Sequence, residues 1–160
     1  MYKRQMHLGR LLIARRDFER AEQLLRACVD ENARMGSTAS AYEASLHLGQ
    51  CLVAAGRPAE ALDVVAAAAA RTTGDLSIFD AARAHLEACA LRELQRAEEA
   101  RQRAIEGVAL ARERNLEFDL ARLLVVAAGT GAADAAPLVG DDPLGEARQL
   151  FDRLGVISTA

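Results

Sequence analysis

The chain has no tryptophan, and aromatic residues make up only 4% of its 160 residues. That shortage weighs against a β-sandwich or barrel, whose strands favour aromatic and β-branched side chains. Prolines number only three. Together with 51% hydrophobic residues, this argues for an ordered chain rather than a disordered one. Cysteines are three and scattered, at Cys28, Cys51 and Cys89, with no Cys-x-x-Cys spacing. They read as small, reduced core residues and not as a disulfide frame or a metal site. Long hydrophobic runs are missing too. The most apolar stretches, 61–70 and 123–128, fall well short of the ~20 residues that span a bilayer. No secretory leader is visible after Lys3 and Arg4, so a cytoplasmic location is expected. A basic excess is also absent. The net charge is −3, and Arg and Glu alternate as they do on solvated helix faces. Little counterion release is available to drive nucleic-acid binding, so none is expected. Lys3 is the only lysine among 20 basic residues. With the abundance of alanine, this points to codon usage of a GC-rich bacterial genome.

What the chain does have is self-similarity. Leu8-Gly9 is followed by Asp17-Phe18-Glu19-Arg20-Ala21, and Leu48-Gly49 by Gly56-Arg57-Pro58-Ala59-Glu60-Ala61. Both the Leu-Gly pair and the later alanine recur 40 positions on. A fixed period of this size marks a stacked helical array. Apolar spacing and cap signals predict eight helices: 2–15, 17–35, 38–55, 58–72, 76–93, 96–114, 117–128 and 143–154. Leu8, Leu11, Ile78, Phe118 and Leu154 are expected on their inward sides. Asp17, Asp75 and Asp142 are the expected N-caps, and Gly36, Gly56, Gly74 and Gly155 the expected stops. The turn signal is weakest at Arg92-Glu93-Leu94-Gln95. Short loops make neighbouring helices antiparallel, giving an all-α, right-handed solenoid of about four helix pairs.

These residues resemble the tetratricopeptide repeat. Leu8, Gly9, Leu12, Ala21, Leu25 and Cys28 fit its first unit, and Leu48, Gly49, Leu52, Gly56, Ala61, Val65 and Ala68 its second. Ala88, Leu91, Ala100, Ala104 and Gly107 fit a third unit more loosely. Ala147, Phe151 and Leu154 fit the second helix of a fourth. The resemblance implies one domain with units at 2–36, 37–74, 75–115 and 116–155. Small residues at Gly9, Gly49 and Ala88 would let the two helices of a unit approach closely. The period exceeds the ~34 residues of the standard repeat. Longer units with a link such as Ala33-Arg34-Met35-Gly36 resemble helical segments of large bacterial signalling proteins. Those include ATPase-containing transcriptional activators and nucleotide cyclases. The chain is therefore expected to be a fragment of a longer protein.

His7 and His47 share one phase of the repeat, and His85 lies near it. In this family that part of the first helix lines the concave face. The resemblance thus implies a partner-binding groove drawing on Met6, His7, Arg10, Glu43, His47, Gln50, His85, Cys89 and Arg92. The carboxylate clamp of some family members is not matched, since Met6, Arg10, His47, Ala82 and Leu86 stand at its positions. Gly129-Thr130-Gly131 lacks the Gly-Lys-Ser/Thr of a phosphate loop. Asp134, Asp141 and Asp142 do not have the spacing of a calcium loop. No catalytic, cofactor or metal site is expected. The expected role is a non-catalytic interaction or regulatory scaffold for a protein or peptide. A small-molecule sensor or a self-associating segment is the alternative.

Overall fold

The computed structural model describes residues 2–130 and 139–156. Among the described residues there are eight α-helices and no strand. They are α1 (Tyr2–Ala14), α2 (Phe18–Arg34), α3 (Thr38–Ala54), α4 (Pro58–Arg71), α5 (Asp80–Glu93), α6 (Ala97–Glu113), α7 (Glu117–Gly129) and α8 (Pro143–Arg153). The all-α architecture expected from the repeat is what forms. The chain divides into two compact units, one ending at Ser77 and the other starting at Ile78. In the first, α2 packs on α1, α3 on α2 and α4 on α3, with α1 also beside α3. In the second, α6 packs on α5, α7 on α6 and α8 on α7, with α5 also beside α7.

One turn design recurs throughout. Arg16, Gly36 and Gly56 all have positive φ, of 60°, 73° and 77°. Gln95, Asn115 and Gly155 repeat this at 60°, 55° and 66°. At each, the next residue donates its N–H back to a carbonyl five positions earlier: Asp17 to Leu12, Ser37 to Asn32, Arg57 to Leu52, Arg96 to Leu91, Leu116 to Ala111 and Val156 to Phe151. The left-handed residue itself donates three positions back, as Gly36 does to Ala33. This pairing satisfies carbonyls that a helix end would otherwise leave orphaned. Arg16, Gly36 and Gly56 are spaced at 20 residues, so two such turns make the 40-residue unit.

The helix spans agree with expectation to within about a residue, except at α5. Asp75 does not cap it. Its carboxylate instead accepts the backbone N–H of Ser77 at 2.8 Å and the Ser77 hydroxyl at 2.9 Å. That local turn leads into a 3₁₀ turn over Ser77–Phe79, and α5 starts only at Asp80. Ile78 is consequently 69% exposed rather than inward. Asp17 stands at the N-cap position of α2 but makes no capping bond; its carboxylate pairs with Arg20 instead, at 3.2 Å. Asp142 caps as expected, accepting from Gly145 N–H at 2.9 Å, with Pro143 in the first turn of α8.

The core of the first unit shows the repeat as burial. Ala21, Leu25 and Cys28 of α2 are buried, and so are Ala61, Val65 and Ala68, 40 positions on in α4. Gly9 does allow close approach: a Cβ there would lie 2.8 Å from Leu25 Cδ2. Gly49 and Ala88 are buried as well. In the second unit the tightest contact is at Gly107, where a Cβ would meet Leu123 Cδ2 at 2.5 Å and Ala84 Cβ at 2.8 Å. Across the surface of the first unit, Arg57 reaches Glu22 at 2.6 Å and Arg26 reaches Glu60 at 2.7 Å. These two pairs tie α2 to α4. Burial alone would raise the Glu22 carboxyl, but hydrogen bonds from Arg26 and Arg57 hold it below the ordinary carboxylate range.

Candidate binding surface

α3 has three kinds of face. Ala44, Leu48 and Cys51 are buried with residues of α2, among them Cys28, Ala21 and Leu25. Gly49 and Leu52 are buried on the next side. Glu43, His47 and Gln50 fall at i, i+4 and i+7, so they share a stripe; all three are half-buried. His47 Nδ1 lies 3.3 Å from Gln50 Oε1, which orients the ring along the stripe. On α1 the equivalent positions hold His7 and Arg10, both exposed. Met6 behaves differently. It is buried in a cluster with Cys28 and Ala44, so it supports the helix packing and does not present a side chain to a groove. In the first unit Glu43, His47 and Gln50 thus share a stripe of α3, and His7 and Arg10 are exposed on α1, which lies beside α3.

In the second unit His85, Cys89 and Arg92 follow one another along α5. His85 Nε2 lies 3.7 Å from Cys89 Sγ. Two guanidiniums, Arg92 and Arg122, are close enough to act on both groups. Burial, reinforced by Arg122 and Arg92, pushes the His85 imidazole down to about 3. Burial pushes the Cys89 thiol up, against the opposing pull of the same two arginines. The pair is thus a neutral imidazole beside a neutral thiol. A nucleophilic cysteine needs the thiolate, and this environment opposes it. Burial likewise raises the Cys28 and Cys51 thiols, as befits packing residues.

Sequence reasoning missed α7 as a contributor. Arg122 stacks over the Phe118 ring at 5.4 Å, and burial raises the neighbouring Asp119 carboxyl, with Arg122 opposing. Phe118 is exposed, not inward, although its edge meets Phe151 at a centroid distance of 6.4 Å. Leu154 is exposed too. Gly129 closes α7, and the Thr130 hydroxyl donates to Ala127 O at 2.9 Å. Gly131 and Asp134 lie outside the described residues.

Two concavities of the first unit lie elsewhere. Two adjoining hollows of about 240 and 210 Å³ share Val29, Asp30, Ser45 and Arg71. On α3 they draw on Ala41, Ser45 and Leu48, opposite the Glu43–His47–Gln50 stripe by helical phase. Among the described residues no group of three His, Cys, Asp or Glu side chains is placed to hold a metal ion. Nor is any described helix long and apolar enough to cross a membrane.

Residues 7–75 match the family model of the tetratricopeptide repeat. No curated protein and no solved structure shows a significant match to the chain. The matched span runs from α1 through α4. With the all-helical pairs described above, it supports a tetratricopeptide-repeat-like helical domain. Repeats of this kind generally mediate protein–protein contacts and are typically non-catalytic.

Proposed function

We propose, from that helical-repeat scaffold as premise, that the chain is a non-catalytic protein- or peptide-binding module. In the first unit its binding surface is the polar stripe of His7 and Arg10 on α1 and Glu43, His47 and Gln50 on α3; in the second unit Cys89 and Arg92 of α5, beside His85, form a separate candidate surface. The observation that carries the reading is the recurrence of His7–Arg10 as His47–Gln50. These positions keep polar side chains partly or fully exposed, whereas Leu48, Gly49 and Leu52 of the same α3 are buried. Within the first unit, packed helices that hold such groups at helical spacing suit a peptide backbone and its side chains. The setting we infer is a regulatory segment of a bacterial signalling or transcription protein, in the cytoplasm, acting on a partner or on another domain of the same parent chain.

A small-molecule reading would draw instead on the two hollows of the first unit, of about 240 and 210 Å³. To test the binding reading, peptides are selected from a display library against the whole chain and their contacts mapped by amide chemical shifts. The reading expects the shifts to cluster around Arg10, His47 and Gln50. Shifts clustered at Asp30, Ser45 and Arg71 would replace it.

A further inference from the structure

Two side chains of opposite charge border the hollows of the first unit without pairing. Toward their N-terminal ends α2 and α4 are joined directly, Arg26 to Glu60 and Arg57 to Glu22. Toward their C-terminal ends the same helices carry Asp30 and Arg71, and each of these lines both hollows. Among the described residues neither side chain takes part in an ion pair or a hydrogen bond. They flank a gap where the other end of the helix pair is clipped shut. Arg26, on the rim of the second hollow, is already compensated by Glu22 at 2.9 Å and Glu60 at 2.7 Å.

The floor between them comes from α3. Ser45 borders both hollows and is 1% exposed. Its hydroxyl donates to Ala41 O at 2.9 Å, which leaves the Oγ lone pairs to accept. The walls are apolar: Val29 lines both hollows, Ala68 the first and Val64 the second. A carboxylate on α2, a guanidinium on α4 and a buried acceptor thus surround an aliphatic space. A ligand with a single charge would meet a like charge on one side. A ligand with both charges would satisfy each.

We propose that these hollows bind a free α-amino acid with an aliphatic side chain. Such a ligand carries both charges at its α-carbon and leaves its side chain free for the apolar wall. The ammonium donates to the Asp30 carboxylate and to Ser45 Oγ. The ligand carboxylate accepts from the Arg71 guanidinium, and the side chain lies along Val29 and Val64. Charge-assisted hydrogen bonds at both ends fix the orientation, and burial of the side chain adds affinity. The site is independent of the peptide-binding reading, because Ser45 lies on the opposite side of α3 from the Glu43–His47–Gln50 stripe by helical phase.

The test titrates the full chain with L-leucine, L-valine and L-alanine by calorimetry and by amide chemical shifts. Two analogues of leucine keep its apolar part and lose one charge: isocaproate lacks the ammonium and isoamylamine lacks the carboxylate. The titrations are repeated on Asp30→Asn and Arg71→Gln, with circular-dichroism melts to verify folding. The proposal expects saturable binding of at least one of the amino acids, with shifts clustered around Asp30, Ser45 and Arg71. Each single-charge analogue should bind about tenfold more weakly or worse, and each variant should lose about tenfold in affinity. Arg10→Glu should leave the affinity unchanged. Failure of all three amino acids to saturate the chain at millimolar concentration, equal binding of either analogue, or binding that survives both variants would each overturn it.

Discussion

Arg16, Gln95 and Asn115 hold left-handed backbone conformations, with φ of 60°, 60° and 55°, without being glycine. That conformation costs an L-residue about 1–2 kcal/mol, and Asn bears it best. Glycine removes the penalty while losing about 0.5–1 kcal/mol more chain entropy. Gln95→Gly should therefore raise stability by about 0.5–1 kcal/mol, read by urea denaturation. A loss would show that Gln95 makes an unrecognised contact. Two other glycines should respond with opposite signs. At Gly107 an added methyl meets Ala84 Cβ, which is fixed to its backbone and cannot swing aside. Overpacking of ~1–3 kcal/mol exceeds the helix-propensity gain of ~1 kcal/mol, so Gly107→Ala should lower the melting temperature. At Gly129 the nearest atom is the flexible Arg92 guanidinium at 3.7 Å. Gly129→Ala should leave the melting temperature unchanged or raise it slightly. His85 gives a pH signature. Its folded pKa, about 3, lies below the ordinary value of 6.5, so between these limits the unfolded chain binds the extra proton. Its contribution is fully present above pH 6.5 and declines as pH falls towards 3. Between pH 7 and 5, His85→Gln should flatten the fall in melting temperature. Parallel curves for variant and parent would remove the buried neutral histidine from the account.

At the scale of elements, most helices were readable because their signals are local. Apolar spacing, Pro58, Pro143, Gly36 and Gly56 each act within a turn or two of where they stand. The start of α5 was not readable, because Asp75 can cap a helix or accept from Ser77 two residues on. Both options use the same carboxylate, and only the folded path of the chain decides between them. The break after Glu93 was obscured for a similar reason: Gln95 performs the glycine's role with no glycine to announce it. Burial on α1 was misread because periodicity identifies an apolar line but not whether a neighbour covers it. Leu8 and Leu48 have the same local surroundings and opposite exposures. Among the candidate site residues, the phase of His7 and His47 was legible. The inward turn of Met6 and the approach of Arg122 to His85 were not, since both depend on packing between helices.

At the scale of the whole molecule, the 40-residue period is the organising fact. It sets the turns, the burial of Ala21–Leu25–Cys28 and Ala61–Val65–Ala68, and the recurrence of His7 and Arg10 on α1 as His47 and Gln50 on α3. The functional claim rests on that last feature, and the opposite side of α3 supplies its internal control. The most direct measurement is the affinity of a display-selected peptide for three proteins: the parent chain, Arg10→Glu with His47→Ala, and Arg71→Glu in the hollow between α2 and α4. The account predicts a loss of about tenfold or more in the double variant and no change in Arg71→Glu. An intact affinity in the double variant, or a loss confined to Arg71→Glu, would contradict it.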